Sequence, residues 1–344
     1  MRPSPIATRP GPAGAPPDED RGAGTAPRPL RILLVAAEAA GSQVLRAVAA
    51  GGCSVAGVLA GDGRATESAV GSGIGATAHR LGCPVWPARS VRDPAFADHL
   101  RHDGVDILLN VHSLFVICPE VLAAPRIGSF NLHPGPLPEC AGLNAVSWAL
   151  YEGKPQHAVT LHWMAPAIDA GPVAYQATFD IEERDTALTL SIKAVKAGLP
   201  LIEGLLATAA ANPAAIPSEP QDLTRRCYHG REIPQDGLLI WSRPARDVVN
   251  FVRACDYLPY ASPWGHPRTV FGQREVAVVK AARTGIPADA VPGALGDVTG
   301  RGVMVSAADE WVLVHRLLCD GRMMDARELL APGGRLAGAG GRPA

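Results

Sequence analysis

The sequence predicts an α/β protein, a doubly wound and mostly parallel sheet followed by a smaller domain of short strands. Two observations carry this. From Arg31 to Leu132, short apolar runs rich in Val, Leu and Ile alternate with segments of helical period, the pattern of a parallel sheet buried on both faces. Beyond Pro267, brief β-prone runs are punctuated by Gly293, Gly296, Gly300 and Gly321, which suggests a small barrel.

The elements follow in order. Residues 1–28, rich in Pro, Gly, Ala and Arg without apolar period, read as a disordered tail with no signal-peptide core. Arg31-Ile-Leu-Leu-Val-Ala is the first buried strand; Gly41 then marks a turn, with a helix over 42–50 and a strand over 54–60. Residues 61–72 form a loop, 72–81 a helix, Pro84-Val-Trp a short strand, and 93–102 a helix opened by Asp93-Pro. Strands at 105–111 and 127–132 flank a short helix at 119–123. A helix at 142–151, strands at 157–164 and 173–181, and a long helix at 186–211 complete a main domain at 29–211. In the long helix Leu188, Ile192, Val195, Leu199 and Ile202 lie near helical spacing and predict its buried face. A polar, Pro-interrupted linker spans 212–244, a helix starts at Ala245, and the C-terminal domain is expected at 245–335, with a frayed tail at 336–344.

Composition narrows the function. With 344 residues, 47% hydrophobic, and 32 basic against 33 acidic residues, the chain supports a substantial core and carries no broad basic footprint for nucleic acid. Its seven cysteines form no C-x-x-C pair, so neither a metal knuckle nor a disulfide framework is expected, and no metal is. No uninterrupted apolar run reaches roughly 18 residues, so a cytoplasmic protein without membrane contact is expected. The first strand–helix turn, Ala36-Ala-Glu-Ala-Ala-Gly41, lacks the glycine fingerprint of a dinucleotide site.

The chemistry concentrates between Phe130 and Gly171. Asn131 and His133 are two apart, so on a strand they project to one side, and Pro134, Pro136 and Pro138 force the chain out of the sheet just beyond them. Ligands gather at the carboxyl ends of strands in such sheets. An amide and an imidazole there can meet a carbonyl group, and Asp169, on a glycine-bounded turn between two β-prone runs, is the natural third member. Each residue alone reads as a strand cap, a structural histidine or a turn former; together and in this order they read as a catalytic set.

Asn-x-His-x-x-x-Leu-Pro at 131–138, Gly142, and Asp-x-Gly-Pro at 169–172 together resemble the folate-dependent formyltransferases. The resemblance implies a Rossmann-like formyltransferase fold with a C-terminal domain similar to the OB-like barrel of methionyl-tRNA formyltransferase. It also implies 10-formyltetrahydrofolate as co-substrate. In this reading Asn131, His133 and Asp169 are catalytic, and Leu114, Val116, Asp169 and Gly171 line the folate. Gly142 and Asn144 face the acceptor. Formyl transfer passes through a tetrahedral oxyanion, which needs a donor such as the Asn131 amide and a base for the amine proton; His133 and Asp169 both qualify for the proton-handling roles.

Two departures bear on the acceptor. Gly135 stands where many relatives have a serine, removing a hydroxyl. Glu139-Cys140-Ala141 replaces the basic residues that methionyl-tRNA formyltransferases tend to carry, and a carboxylate there repels phosphate. Residues 61–72 hold Arg64 beside Asp62 and Glu67, and Asp222–Arg335 holds 15 basic against 13 acidic residues, an excess of 2. The expected reaction is therefore formylation of the primary amine of a small or carrier-bound metabolite, an amino sugar or aminoacyl group. The alternatives are methionyl-tRNA formyltransferase, with tRNA as partner, and a formyltetrahydrofolate hydrolase. A hydrolase of this kind carries a small N-terminal regulatory domain, for which residues 1–28 are too short.

Overall fold

In the computed structural model of the chain, the structure describes residues 28–36, 38–60, 73–113 and 115–337. The expected tail at 1–27, the loop at 61–72, Leu114 and residues 338–344 lie outside them.

The first half builds β1 (Arg31–Ala36), α1 (Glu38–Ala50), β2 (Ser54–Leu59), α2 (Ile74–Arg80), β3 (Val85–Trp86), α3 (Phe96–His102), β4 (Ile107–Val111), α4 (Pro119–Leu122) and β5 (Gly128–His133). Then come β6 (Ala141–Gly142), α5 (Ala145–Tyr151), β7 (Gln156–Trp163), β8 (Val173–Asp180) and α6 (Ala187–Ala211). Seven strands form one sheet in the order β3-β2-β1-β4-β5-β7-β8. It is parallel through β5 and antiparallel at β5–β7 and β7–β8. The doubly wound expectation holds, because alternate side chains of the buried strands pack on opposite layers. Ile32, Leu34, Ile107 and Leu109 meet α1, α2 and α6, whereas Leu33, Val35 and Leu108 meet α3 and α4.

The second half adds β9 (Tyr228–His229), α7 (Ala245–Ala254), β10 (Arg268–Phe271), β11 (Arg274–Pro287), β12 (Leu295–Thr299), β13 (Gly302–Ser306), β14 (Glu310–Cys319), β15 (Arg322–Asp325) and β16 (Leu336–Ala337). Its antiparallel sheet runs β12-β13-β14-β11-β10-β16, with β15 beside β14. A bridge between Ala294 and Arg335 joins the two ends of that order and curls the sheet on itself, in keeping with the barrel expectation. One core unites this sheet, α7, Leu239 and Trp241 with Val146 and Leu150 of α5.

Several local expectations change. Gly41 lies inside α1 rather than at a turn, and close packing accounts for the glycine, since a Cβ there would come within 2.6 Å of the Ala36 side chain and 2.8 Å of Ile74. The predicted helix at 142–151 begins only at Ala145. Ala141 and Gly142 instead form β6, paired with the distant β9. Residues 336–337 are not frayed: they pair with β10, and Leu336 is buried. Arg28, assigned to the tail, reaches Asp106 at 2.9 Å.

The long helix is apolar on most of its circumference, and its buried face is Leu190, Ala194, Gly198, Ile202 and Leu205. Ile192, expected inside, is 55% exposed. Among the described residues α6 is the one helix with a membrane-length apolar window; here it packs on the first sheet and against α1.

Candidate active site

β5 places Asn131 and His133 on one side of the sheet, as their spacing requires, and both are buried. The Pro134–Pro138 turn leaves the sheet beyond them and is fastened from β7 and β8. The Thr160 hydroxyl donates to Gly135 O at 2.7 Å, and Gln176 Nε2 donates to Thr160 Oγ1 at 2.8 Å. Asp169 arrives on the β7–β8 loop in a left-handed conformation, φ 51°.

The three residues meet. Asp169 Oδ1 accepts from Asn131 Nδ2 at 3.3 Å, and Asp169 Oδ2 lies 3.5 Å from His133 Nδ1. Oδ2 also accepts the Gly142 backbone N–H at 2.8 Å. That approach is why residue 142 is glycine: its φ is 92°, and a Cβ would run into the backbone carbonyl of His229.

Burial would push the Asp169 carboxyl up. The bond from His162, the charge of His133 and the Gly142 N–H outweigh it and hold the carboxyl at about 2, so the group is a carboxylate at neutral pH. For His133 burial wins over the Asp169 carboxylate, and its pKa falls below the ordinary 6.5. Its Nε2 donates to Cys140 O at 2.7 Å, so in the neutral ring Nδ1, the atom facing Asp169, carries the lone pair.

The sequence reading missed two members. His162 on β7 stands directly across from Asn131, and its Nε2 lies 3.1 Å from Asn131 Nδ2 and 3.5 Å from Asp169 Oδ1. Asn110 on β4 stands across from Asn131 on the other side and donates through Nδ2 to Asn131 Oδ1 at 2.8 Å. Signals existed for both. His162 shares the face of Thr160, opposite Val159, Leu161 and Trp163, and Asn110 interrupts an otherwise apolar strand.

The remaining candidates are placed less centrally. Val116 is 60% exposed on the segment after β4. Gly171 is packed where any side chain would strike the Trp163 carbonyl, and its own carbonyl accepts from Gln221. Asn144, φ 56°, caps the start of α5 without a side-chain bond to it. Gly135 is explained by space rather than by a lost hydroxyl, since a Cβ would lie 2.8 Å from the Ala145 side chain and 3.0 Å from His133 Nε2. The Glu139 carboxylate is ion-paired with Arg225 of the linker.

The linker forms one wall. Arg226 donates to Ile168 O at 2.9 Å, and its guanidinium lies 5.0 Å from the Tyr228 ring centre. His229 stacks on Trp148 with ring centres 4.3 Å apart. Among the described residues no cluster of His, Cys, Asp and Glu has the makings of a metal site.

A doubly wound sheet thus brings an amide, an imidazole and a carboxylate together at a strand's carboxyl end. The chain matches the formyl transferase family over residues 47–202 and the formyl transferase C-terminal domain over 233–332, and it belongs to that family. Solved structures share the fold. WlaRD, a sugar 3N-formyltransferase determined with dTDP and 5-N-formyl-THF, superposes with a TM-score of 0.64 at 15% identity, covering 83% of this chain and 97% of its own. An N-formyltransferase from Helicobacter canadensis, in complex with folinic acid and dTDP-3-aminofucose, gives 0.62 at 14% identity, covering 83% and 98%. HypX from Aquifex aeolicus with tetrahydrofolic acid gives 0.61 at 16% identity, covering 88% of this chain and 47% of its own.

Proposed function

We propose that this formyltransferase carries the formyl group of 10-formyltetrahydrofolate to the primary amine of a small metabolite, an amino sugar being the first candidate. The observation that carries the reading is the convergence of Asn131 and His133 on Asp169, at 3.3 and 3.5 Å, in a chain of this family. The folate and amino-sugar ligands of the structural relatives support the donor and acceptor classes. The Arg225 pairing that neutralises Glu139, rather than leaving a free basic surface, favours a small acceptor over tRNA.

In this reading the amine nitrogen attacks the formyl carbon and the carbonyl oxygen becomes an oxyanion. Asn131 Nδ2 gives one hydrogen to Asp169 and offers its other to that oxygen, a donor in place before the charge develops. His133 takes the amine proton at Nδ1, and Asp169 stabilises the imidazolium that results. The bond from the formyl carbon to N10 of the folate then breaks, and the proton returns to N10. Atoms balance with tetrahydrofolate and the N-formyl product.

The test is transfer from 10-formyltetrahydrofolate to a panel of nucleotide-linked amino sugars, free amino sugars, carrier-bound aminoacyl groups and charged initiator tRNA, read as a mass gain on the acceptor. A formylated small amine is the expected result. Formylated methionyl-tRNA alone, or formate release with every acceptor unchanged, would overturn it in favour of a translation enzyme or a hydrolase.

A further inference from the structure

We infer that Asn110 is a positioning residue that fixes which end of the Asn131 amide faces the reacting carbonyl. The inference rests on the formyl-transfer reading of the site and adds a residue outside its three chemical members.

The polarity can be traced bond by bond. His162 Nδ1 lies 2.8 Å from the backbone carbonyl of Trp163, which can only accept, so Nδ1 carries the proton. Its Nε2 lies 3.1 Å from Asn131 Nδ2 and 3.5 Å from Asp169 Oδ1. Asn131 Nδ2 donates to the Asp169 carboxylate at 3.3 Å, and a carboxylate can only accept, so this bond fixes the sense of the amide. The nitrogen of Asn131 is thereby placed on the Asp169 side and its oxygen on the β4 side. Only a donor can face that oxygen, and Asn110 Nδ2 does so at 2.8 Å.

The register makes the contact direct, because Asn110 and Asn131 are cross-strand partners in β4 and β5. Asn110 sits in Ile107-Leu-Leu-Asn-Val, with buried residues throughout, and it is itself only 6% exposed. Its own carbonyl oxygen accepts no hydrogen bond from the described residues. A buried acceptor left without a partner is a cost that an aliphatic side chain would avoid. Asn110 is therefore explained by the N–H it gives to Asn131 rather than by packing. Without that N–H the Asn131 oxygen loses its one partner among the described residues, and the amide is free to rotate and present oxygen to a developing oxyanion.

Asn110→Leu and Asn110→Asp separate this from a general packing role. Folding is checked by thermal melting, and kcat and KM are measured from pH 5.5 to 8.5 beside wild type and Asn131→Ala. Expected are a kcat loss on the order of tenfold for Asn110→Leu with KM little changed, and a larger loss for Asn110→Asp above neutral pH. The Asp variant is expected to recover toward wild type as pH falls, because a protonated carboxyl can again donate to Asn131 whereas a carboxylate repels its oxygen. Taking the ratio to wild type at each pH removes effects common to both proteins, including those of Asp169 and His162 beside the Asn131 amide and of His133 beside Asp169.

Folded variants that keep wild-type kcat while Asn131→Ala loses it would overturn the inference and leave the formyl-transfer reading standing. So would an Asp variant whose deficit is independent of pH. An Asn131→Ala protein that transfers formyl at the wild-type rate would instead overturn the catalytic reading beneath it.

Discussion

Gln221 donates through Nε2 to the backbone carbonyl of Asp169 at 3.0 Å and to that of Gly171 at 2.5 Å. One side chain of the linker thus ties two carbonyls of the turn that carries the site carboxylate, and Arg226 ties a third at Ile168. Asp169 is held in a left-handed conformation that a non-glycine residue seldom adopts unaided. The aim of the carboxylate is therefore set from outside its own loop.

Replacing Gln221 with Leu should lower kcat by about 10- to 100-fold, the penalty for a misplaced reacting group, with a small change in Tm. The two Nε2 bonds that are lost fasten one surface turn and cost about 0.5–1.5 kcal/mol each. A melting curve beside steady-state rates checks this. A collapse in Tm with kcat intact in the surviving fold would refute it.

Removing the donor at Asn131 should be costlier. Asn131→Ala is expected to reduce kcat by about 10²- to 10³-fold, or about 2.7–4 kcal/mol of barrier. His133→Ala should abolish the proton step. Because burial keeps His133 neutral at pH 7, the wild-type rate should fall on the acid side of 6.5, where protonation consumes the base. A pH–rate profile flat through that region would contradict the assignment of His133 as base.

Gly142→Ala tests the backbone rather than a side chain. Residue 142 has φ 92° and touches the His229 carbonyl, so a methyl group must push β6 from β9 and withdraw the N–H from Asp169 Oδ2. A loss of stability of about 1–3 kcal/mol is expected from the strained conformation, accompanied by loss of transfer activity. Urea unfolding and the formyl assay read the two effects, and a variant unchanged in both would show that the strand pairing is not required.

His157 predicts an acid-sensitive fold. Its side chain is buried against Phe179, its Nε2 bonds Pro134 O at 2.8 Å, and burial holds its pKa down at about 4 despite that bond. The unfolded chain protonates this histidine near 6.5, so folding is unpenalised above that pH and loses stability as pH falls from 6.5 toward 4. The loss reaches about 3 kcal/mol at full protonation of this one residue. His157→Gln should flatten that part of the stability–pH curve. An equally steep curve in the variant would assign the effect to other groups.

What could be read from the chain alone follows the range over which each cause acts. The i, i+2 spacing of Asn131 and His133 gives a shared face on any strand, the proline run ends that strand, and the apolar runs alternate with helical ones. All of these are local consequences of side-chain chemistry, and the structure has them. The buried face of α6 is only partly legible, with Val195 and Ile202 inside and Ile192 outside, because a helix apolar on most sides has no distinguishing stripe. Gly142 reads as helical in the sequence because the partner of β6, β9, lies in the linker. The polarity of the Asn131 amide was beyond local reading for the same reason. It depends on the register of β4 and β7 against β5, which sets Asn110 on one side and His162 on the other. Sequence by itself determined which chemical groups were available and which strand would present them. Only the tertiary structure decided which atom of each group faces which, because hydrogen-bond direction is settled between strands that meet in space.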